Sequence, residues 1–100
     1  MSMVKLSAPI MAHGAEITEL ELREPLTKDI IELGLPTLLI VGDNGVTGVD
    51  IRQPVCAKYI SRLAGIPLSS VEKLSPKDFS LASAEVLGFF GAGDIELTPS

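Results

Sequence analysis

The stretch "ITELELREPLTKDIIELGLP", residues 17–36, changes its period part-way along, and that change sets the fold class. Leu20 and Leu22 alternate with Glu19, Glu21 and Arg23, the two-residue period of a half-buried strand. Pro25 ends the alternation and Thr27 offers a helix cap. Ile30, Ile31 and Leu33 then open a helical pattern in which Asp29 and Glu32 are the polar positions. Gly34 and Pro36 are stop signals.

A strand that buries Leu20 and Leu22 needs a neighbour, and the residues before it supply one. Val4, Leu6, Ala8 and Ile10 alternate with Lys5, Ser7 and Pro9. The expected element is an antiparallel hairpin, residues 3–11 and 16–23, with Leu6, Leu20 and Leu22 facing inward and Glu19 and Glu21 in solvent. A two-residue His13–Gly14 turn would set Leu6 opposite Glu21 and mix the faces. A three-residue loop, Ala12 to Gly14, sets Val4 opposite Leu22, Leu6 opposite Leu20 and Lys5 opposite Glu21, so the longer loop is expected. Ile17 is out of phase and belongs on the other face or at a bulge. Pro9 has no N–H for the ladder.

Beyond Pro36 the run "TLLIVGDNGVTGVD" fits a strand entering a turn, and it fits a helix continued past a kink. Helix is the expectation, with Gly42–Gly48 as a flexible loop. Residues 51–64 give the clearest helix, capped by Asp50 or by Gln53 with Pro54 behind it, and closed by Gly65 and Pro67. Val55, Tyr59 and Leu63 form one stripe of it. Two capping boxes follow, Ser69 with Glu72 and Ser75 with Asp78. The second opens a last helix in which Phe79, Ala82, Val86 and Phe90 keep helical spacing, and Gly91 is a stop. The expected fold is α+β: an N-terminal antiparallel β-hairpin followed by a small cluster of three to four α-helices. It forms one domain over residues 1–91, with a flexible tail at 92–100.

The chain has 100 residues, of which 46% are hydrophobic, with no Trp, one Tyr and three Phe, so the core is aliphatic. The net charge is −5 and the eight Lys and Arg are scattered, which argues against the concentrated positive charge that nucleic acid requires. The longest apolar run, "LLIV" at 38–41, is far short of the ~20 residues of a membrane helix. "MSMVKLSAPIMAHG" is too broken by polar residues to be a secretion signal. The single Cys excludes an intramolecular disulfide and fits a reducing compartment. A soluble, cytoplasmic protein is expected.

Reactive groups are sparse. His13 sits at a turn, and Cys56 lies beside an apolar helix stripe, where a thiol is inert. Together they fall short of the four ligands of a zinc site. "DNGVTGVD" lacks the terminal Glu of a calcium loop, and "GDNG" lacks the Lys of a phosphate loop. Glu16, Glu19, Glu21 and Glu24 are dense, but a solvated strand face cannot shift their acidity for catalysis. The expectation is a protein that is not an enzyme and takes no cofactor or metal. What exceeds the needs of a small domain is apolar: "LGLPTLLIV" and "VLGFFG". Leu38, Leu39, Phe89 and Phe90 are accordingly the candidate partner-binding residues, wherever the core does not consume them.

The order of these features resembles the Mu-like phage tail assembly chaperone family of contractile-tailed phages and prophages. Leu6, Pro9, Ile10, Gly14, Ile17, Leu20, Leu22, Arg23, Pro25 and Asp29 fill its opening pattern. Ile60, Leu63, Gly65, Pro67, Val71, Leu74, Asp78, Val86 and Phe89 or Phe90 match its second half. The likeness covers residues 5–91 and is weakest over "TLLIVGDNGVTGVDIRQP". It implies an assembly factor that binds the tape measure protein and keeps it soluble while the tail tube polymerises. It also implies partners among copies of itself and a frameshift-extended version of the same chain, and a place in the cytoplasm of the bacterial host rather than in the mature virion. The competing class is a small structural protein of the tail or head, retained in the particle.

Overall fold

The computed structural model describes the backbone of residues 2–42 and 45–90, and the side chains of that set other than 38–42, 46, 47 and 49. The expected tail at 92–100 and the side chains of Leu38 and Leu39 lie outside the described residues. The fold is α+β. An antiparallel hairpin, β1 (Ser2–Ala12) and β2 (Ala15–Leu22), is followed by α1 (Thr27–Leu33). A second antiparallel hairpin comes next, β3 (Thr37–Gly42) and β4 (Gly45–Ile51). Three helices complete the described chain: α2 (Gln53–Ala64), α3 (Leu68–Val71) and α4 (Pro76–Phe89).

The first hairpin buries the expected face. Leu20 and Leu22 are fully buried, Leu6 is half-buried, and Glu19 and Glu21 are exposed. Its loop and register differ from expectation. The turn has two residues, His13 and Gly14, both at positive φ (54° and 76°), the backbone of a tight hairpin turn whose twist matches that of the strands. Ala12 pairs with Ala15 and Ile10 with Ile17, yet further along Lys5 pairs with Glu19, Val4 with Leu20 and Ser2 with Leu22. Four residues of β1, Leu6 to Pro9, therefore stand against Thr18 alone. The mixing of faces that argued against a short turn is removed by this bulge, which lies next to Ile17.

The bulge exists because α4 supplies what the ladder does not. Asp78 is fully buried. The Ser7 N–H donates to both of its carboxylate oxygens (3.0 and 2.9 Å), the Ala8 N–H donates to Oδ2 (3.4 Å), and so does the Ser7 hydroxyl (3.1 Å). Buried backbone donors need partners, and Pro9 offers none of its own. A carboxylate from a helix 71 residues away takes the place of β2 here.

The second hairpin replaces the helix and loop expected over 37–48. α1 closes at Gly34 (φ 83°), whose N–H donates to Ile30 O at 2.8 Å. Continuing the helix would put Pro36 inside it, at a cost of about 3 kcal/mol. Released into extended backbone, Thr37 pairs with Ile51, Leu39 with Val49 and Val41 with Val46, and the Arg52 N–H closes the base on Pro36 O (2.8 Å).

The helix caps also shift. Thr27 is already in α1; the cap is Leu26, whose N–H donates to the Asp29 carboxylate at 2.7 Å. Neither Asp50 nor Gln53 caps α2, which starts after Arg52 without a side-chain cap. The Ser69–Glu72 box does not form, because α3 begins earlier, after Pro67. Ser75 does cap α4, accepting from the Asp78 N–H at 3.1 Å, while the Asp78 carboxylate turns away to β1. Gly65 ends α2 in the left-handed region as expected (φ 71°).

The core lies between the first hairpin and α2–α4. Val4, Leu20, Leu22, Ile60, Leu63, Val71 and Val86 meet there, with Leu33, Phe79, Phe89 and Phe90 half-buried at its margin. Each fully buried aliphatic side chain contributes about 1.5–3 kcal/mol. Tyr59 brings a polar group into this core; its hydroxyl donates to Gly34 O at 2.6 Å, and its ring meets Phe90 edge-on at 5.3 Å. Among the described residues β3 and β4 pack chiefly on each other and make little contact with this core.

Candidate interaction surface

α1 is short, and one carboxylate fixes it. Asp29 is 2% exposed. Arg23, at the end of β2, donates to it through both terminal nitrogens (2.9 and 3.3 Å), and Arg62 of α2 donates at 3.3 Å. Arg62 also bonds the Glu32 carboxylate. The guanidinium of Arg23 is the main cause that holds the Asp29 carboxyl far below the usual carboxylate range, against the opposing effect of burial; the Leu26 N–H and Arg62 add to it. A buried charge is tolerable only when paired and hydrogen-bonded in this way. Asp29 thereby ties β2, α1 and α2 together.

With Asp29 turned inward, the spacing of α1 dictates what faces out. At 100° per residue, Ile31 points about 160° away from Asp29, and Lys28 is its i,i+3 neighbour. Ile31 is 78% exposed and Leu26 is 60% exposed. Ile30, Leu35, Leu68 and Ile51 are exposed too. Two adjoining recesses that share Arg62 lie on the Asp29 side of the helix, and Ile31 lines neither. One is lined by Arg23, Leu26, Lys28, Asp29 and Glu32, the other by Leu33, Lys58, Ser61 and Leu68. Isolated exposed leucines need no explanation, but Ile30 and Ile31 on α1, with Leu26 and Leu35 just beyond its ends, leave several large apolar side chains exposed around one short helix.

The four residues singled out in the sequence fare differently. Phe89 and Phe90 are half-buried against the core. Leu38 and Leu39 are strand residues of β3, paired with Asp50 and Val49. The side chains of Leu38 and Leu39 lie outside the described residues. The exposure of Ile31 was not legible because the apolar positions of α1 read as its core face. The available signal was Asp29 beside Arg23: a carboxylate that must be paired inward rotates the neighbouring isoleucine outward.

Reactive groups do not converge. Cys56 is fully buried, and burial pushes its thiol up, only partly offset by the Ser83 hydroxyl. His13 stays exposed at its turn, where Nε2 donates to Gly65 O at 3.0 Å and pins the hairpin tip to the end of α2. Ser70 Oγ does the same for α3, donating to Met11 O at 2.8 Å. Among the described residues no three His, Cys, Asp or Glu side chains are grouped to hold a metal ion. No described helix is long and apolar enough to cross a membrane.

Comparison with known families decides the relationship. Residues 3–91 match the model of the family described as phage tail assembly chaperone proteins, E, or 41 or 14. The chain belongs to this family. No curated protein and no solved structure matches it. The match runs through the second hairpin, so β3 and β4 fall within the span that defines a tail assembly chaperone of this kind. Of the residues that carry the resemblance, Leu20, Leu22, Ile60, Leu63, Val71, Leu74 and Val86 are core. Arg23 pairs with the buried Asp29, Asp78 holds the bulge, and Gly14 and Gly65 take positive φ.

Proposed function

We propose that the chain binds the tape measure protein and keeps it soluble during tail tube assembly, and that α1 carries the contact. Membership of the family supports the role. The observation that supports the place is Ile31, 78% exposed on a helix whose buried side is fixed by Asp29. A long helical client offers repeated apolar stripes, and the exposed apolar side chains of Leu26 and Ile31 suit such stripes. Leu38 and Leu39 on the second hairpin extend the proposed contact, and Phe89 and Phe90 add what the core leaves exposed. Copies of the chain and a frameshift-extended form are proposed as further partners, acting in the cytoplasm of the host.

Co-expression with the tape measure protein tests this. The client stays in the soluble fraction with the wild-type chain and precipitates with Ile31→Asp, which places a charge in an apolar contact. Ile31 is exposed, so circular dichroism of that variant matches the wild type. Equal rescue by Ile31→Asp removes α1 from the contact. A client that precipitates beside the wild-type chain, or the chain found stoichiometrically in purified virions, overturns the chaperone role itself.

A further inference from the structure

The two hairpins protect their edges differently. In the first, Pro9 interrupts β1, Asp78 takes the Ser7 and Ala8 N–H groups, and β2 carries the exposed Glu16, Glu19 and Glu21. Charges, prolines and bulges are the devices that stop a sheet edge from pairing with another chain. The second hairpin has such devices on β4 alone. Ile40 pairs with Gly48 and Val41 with Val46, so Thr47 is an extra residue and the bulge lies in β4. Asp50 of β4 is exposed. β3 has none of these: Thr37–Gly42 reads TLLIVG, without charge or proline and rich in residues that favour strands. Its ladder with β4 is regular from Thr37 to Ile40. No other described strand joins this sheet.

We infer that two copies of the chain join through β3, its outer edge pairing antiparallel with the β3 of a second copy to give a four-stranded sheet. This deepens the proposed partnership between copies, rests on that reading, and does not depend on α1. A two-stranded hairpin is marginal in water, and this one makes little contact with the core that could support it. Two hairpins joined edge to edge supply the missing strands to each other. Alternate residues of β3 direct N–H and C=O groups away from β4, and a second β3 satisfies them along the strand.

The occupant is a second copy because the strand is complementary to itself. Antiparallel pairing about a two-fold axis sets Leu39 opposite Ile40, Leu38 opposite Val41 and Thr37 opposite Gly42, so no charge faces another. Asp50, the charged residue of β4, stays on the far strand of each hairpin. The two Asp50 residues are then three strand spacings, about 14 Å, apart laterally, beyond the screening length of about 8 Å at physiological salt. β3 runs outward from the hairpin base, where the Arg52 N–H meets Pro36 O. Two antiparallel β3 strands therefore point their tips in opposite directions. The rest of each chain, whose net charge is −5, lies at opposite ends of the shared sheet. An extended segment of the client is the competing occupant of this edge, and it requires no association of the chain with itself.

Sedimentation equilibrium of the full chain without client tests the inference. The wild-type chain is expected at twice its mass of 10.6 kDa, shifting toward monomer on dilution. Two double variants place like charges at the centre of the pairing: Leu39→Lys with Ile40→Lys, and Leu39→Glu with Ile40→Glu. Each alone should be monomeric with the circular dichroism of the wild type, and their equimolar mixture should recover the dimer as opposite charges meet. Recovery in the mixture separates a lost interface from a lost fold. Thr47→Lys, on the bulged strand, should leave the dimer intact. A wild-type chain that stays monomeric to millimolar concentration overturns the inference and leaves the edge to the client. A dimer that survives both double variants, a mixture that stays monomeric, or a dimer lost in Thr47→Lys overturns it as well. Client rescue reads the chaperone role separately. A monomeric chain that still rescues the client loses only the β3 pairing, whereas a dimer beside which the client precipitates overturns the chaperone role.

Discussion

Replacing Asp29 tests the reasoning at its most physical point. The carboxylate accepts from two arginines and from the Leu26 N–H, and it is 2% exposed. Hydrogen bonds to charged groups contribute about 1.5–3 kcal/mol each in isolation. The two arginines are 39% and 32% exposed, so water rehydrates them when the carboxylate goes, and the contributions do not add. Asp29→Ala should therefore cost about 2–3 kcal/mol, a fall of roughly 10–20 °C in Tm for a domain of this size. Asp29→Asn keeps an acceptor for Leu26 but loses the charge, and should cost roughly half as much. The sign of the pH dependence follows from the direction of the shift. Asp29 is more acidic folded than unfolded, so its contribution is complete above the unfolded value near pH 4 and is lost as pH falls below it. Thermal denaturation of wild type and Asp29→Asn between pH 7 and pH 3 should show the two curves converging at the acid end. Equal Tm values at pH 7 would refute the claim that Asp29 fixes α1. A gap that widens on acidification would refute the sign.

Three further outcomes are expected. Asp78→Asn loses charge-assisted bonds to Ser7 and Ala8, so amide hydrogen exchange at residues 7 and 8 should rise while that at Leu20 and Leu22 changes least; uniform acceleration would mean that Asp78 acts on the whole fold rather than on the bulge. Asp78 is also more acidic folded, chiefly through the Ser7 N–H, so acid lability should persist in Asp29→Asn and diminish further in the double variant. Leu63→Ala and Val86→Ala, at sites 3% and 0% exposed, should each cost about 2–4 kcal/mol in chemical denaturation, and a value near zero would place them outside the core.

The parts of the fold that were legible in the sequence are those governed by local rules. Alternation placed Leu20 and Leu22 inward. Ser75 and Gly65 marked real helix ends, because a cap is decided within a few residues. The register of the first hairpin was not legible. It depends on Asp78, which reads as half of a capping box and acts on Ser7 through a separation of 71 residues. The second hairpin was ambiguous for another reason: "LLIV" alone carries no period, and only the pairing of Thr37 with Ile51 distinguishes strand from helix. The outward position of Ile31 was not legible because Asp29 and Glu32 read together as the polar side of α1. Pairing with Arg23 and Arg62 buries the Asp29 carboxylate beside Leu33 and leaves Ile31 outside.

The residues that identify the family and the residues proposed to meet the client are largely different sets, and a physical reason separates them. A left-handed turn at Gly14, the pairing of Arg23 with the buried Asp29, and a carboxylate filling a bulge each admit few residue types, since a change leaves strain or an unpaired buried group. An exposed apolar side chain is less demanding. Any large aliphatic side chain at position 31 covers similar area. The scaffold therefore carries a readable signature, whereas the surface it presents can be retuned to a different client by changes that cost the fold little. Ile31→Leu should consequently keep both stability and client binding, whereas Asp29→Glu, which adds a methylene inside the ion cluster, should lower stability although it conserves charge.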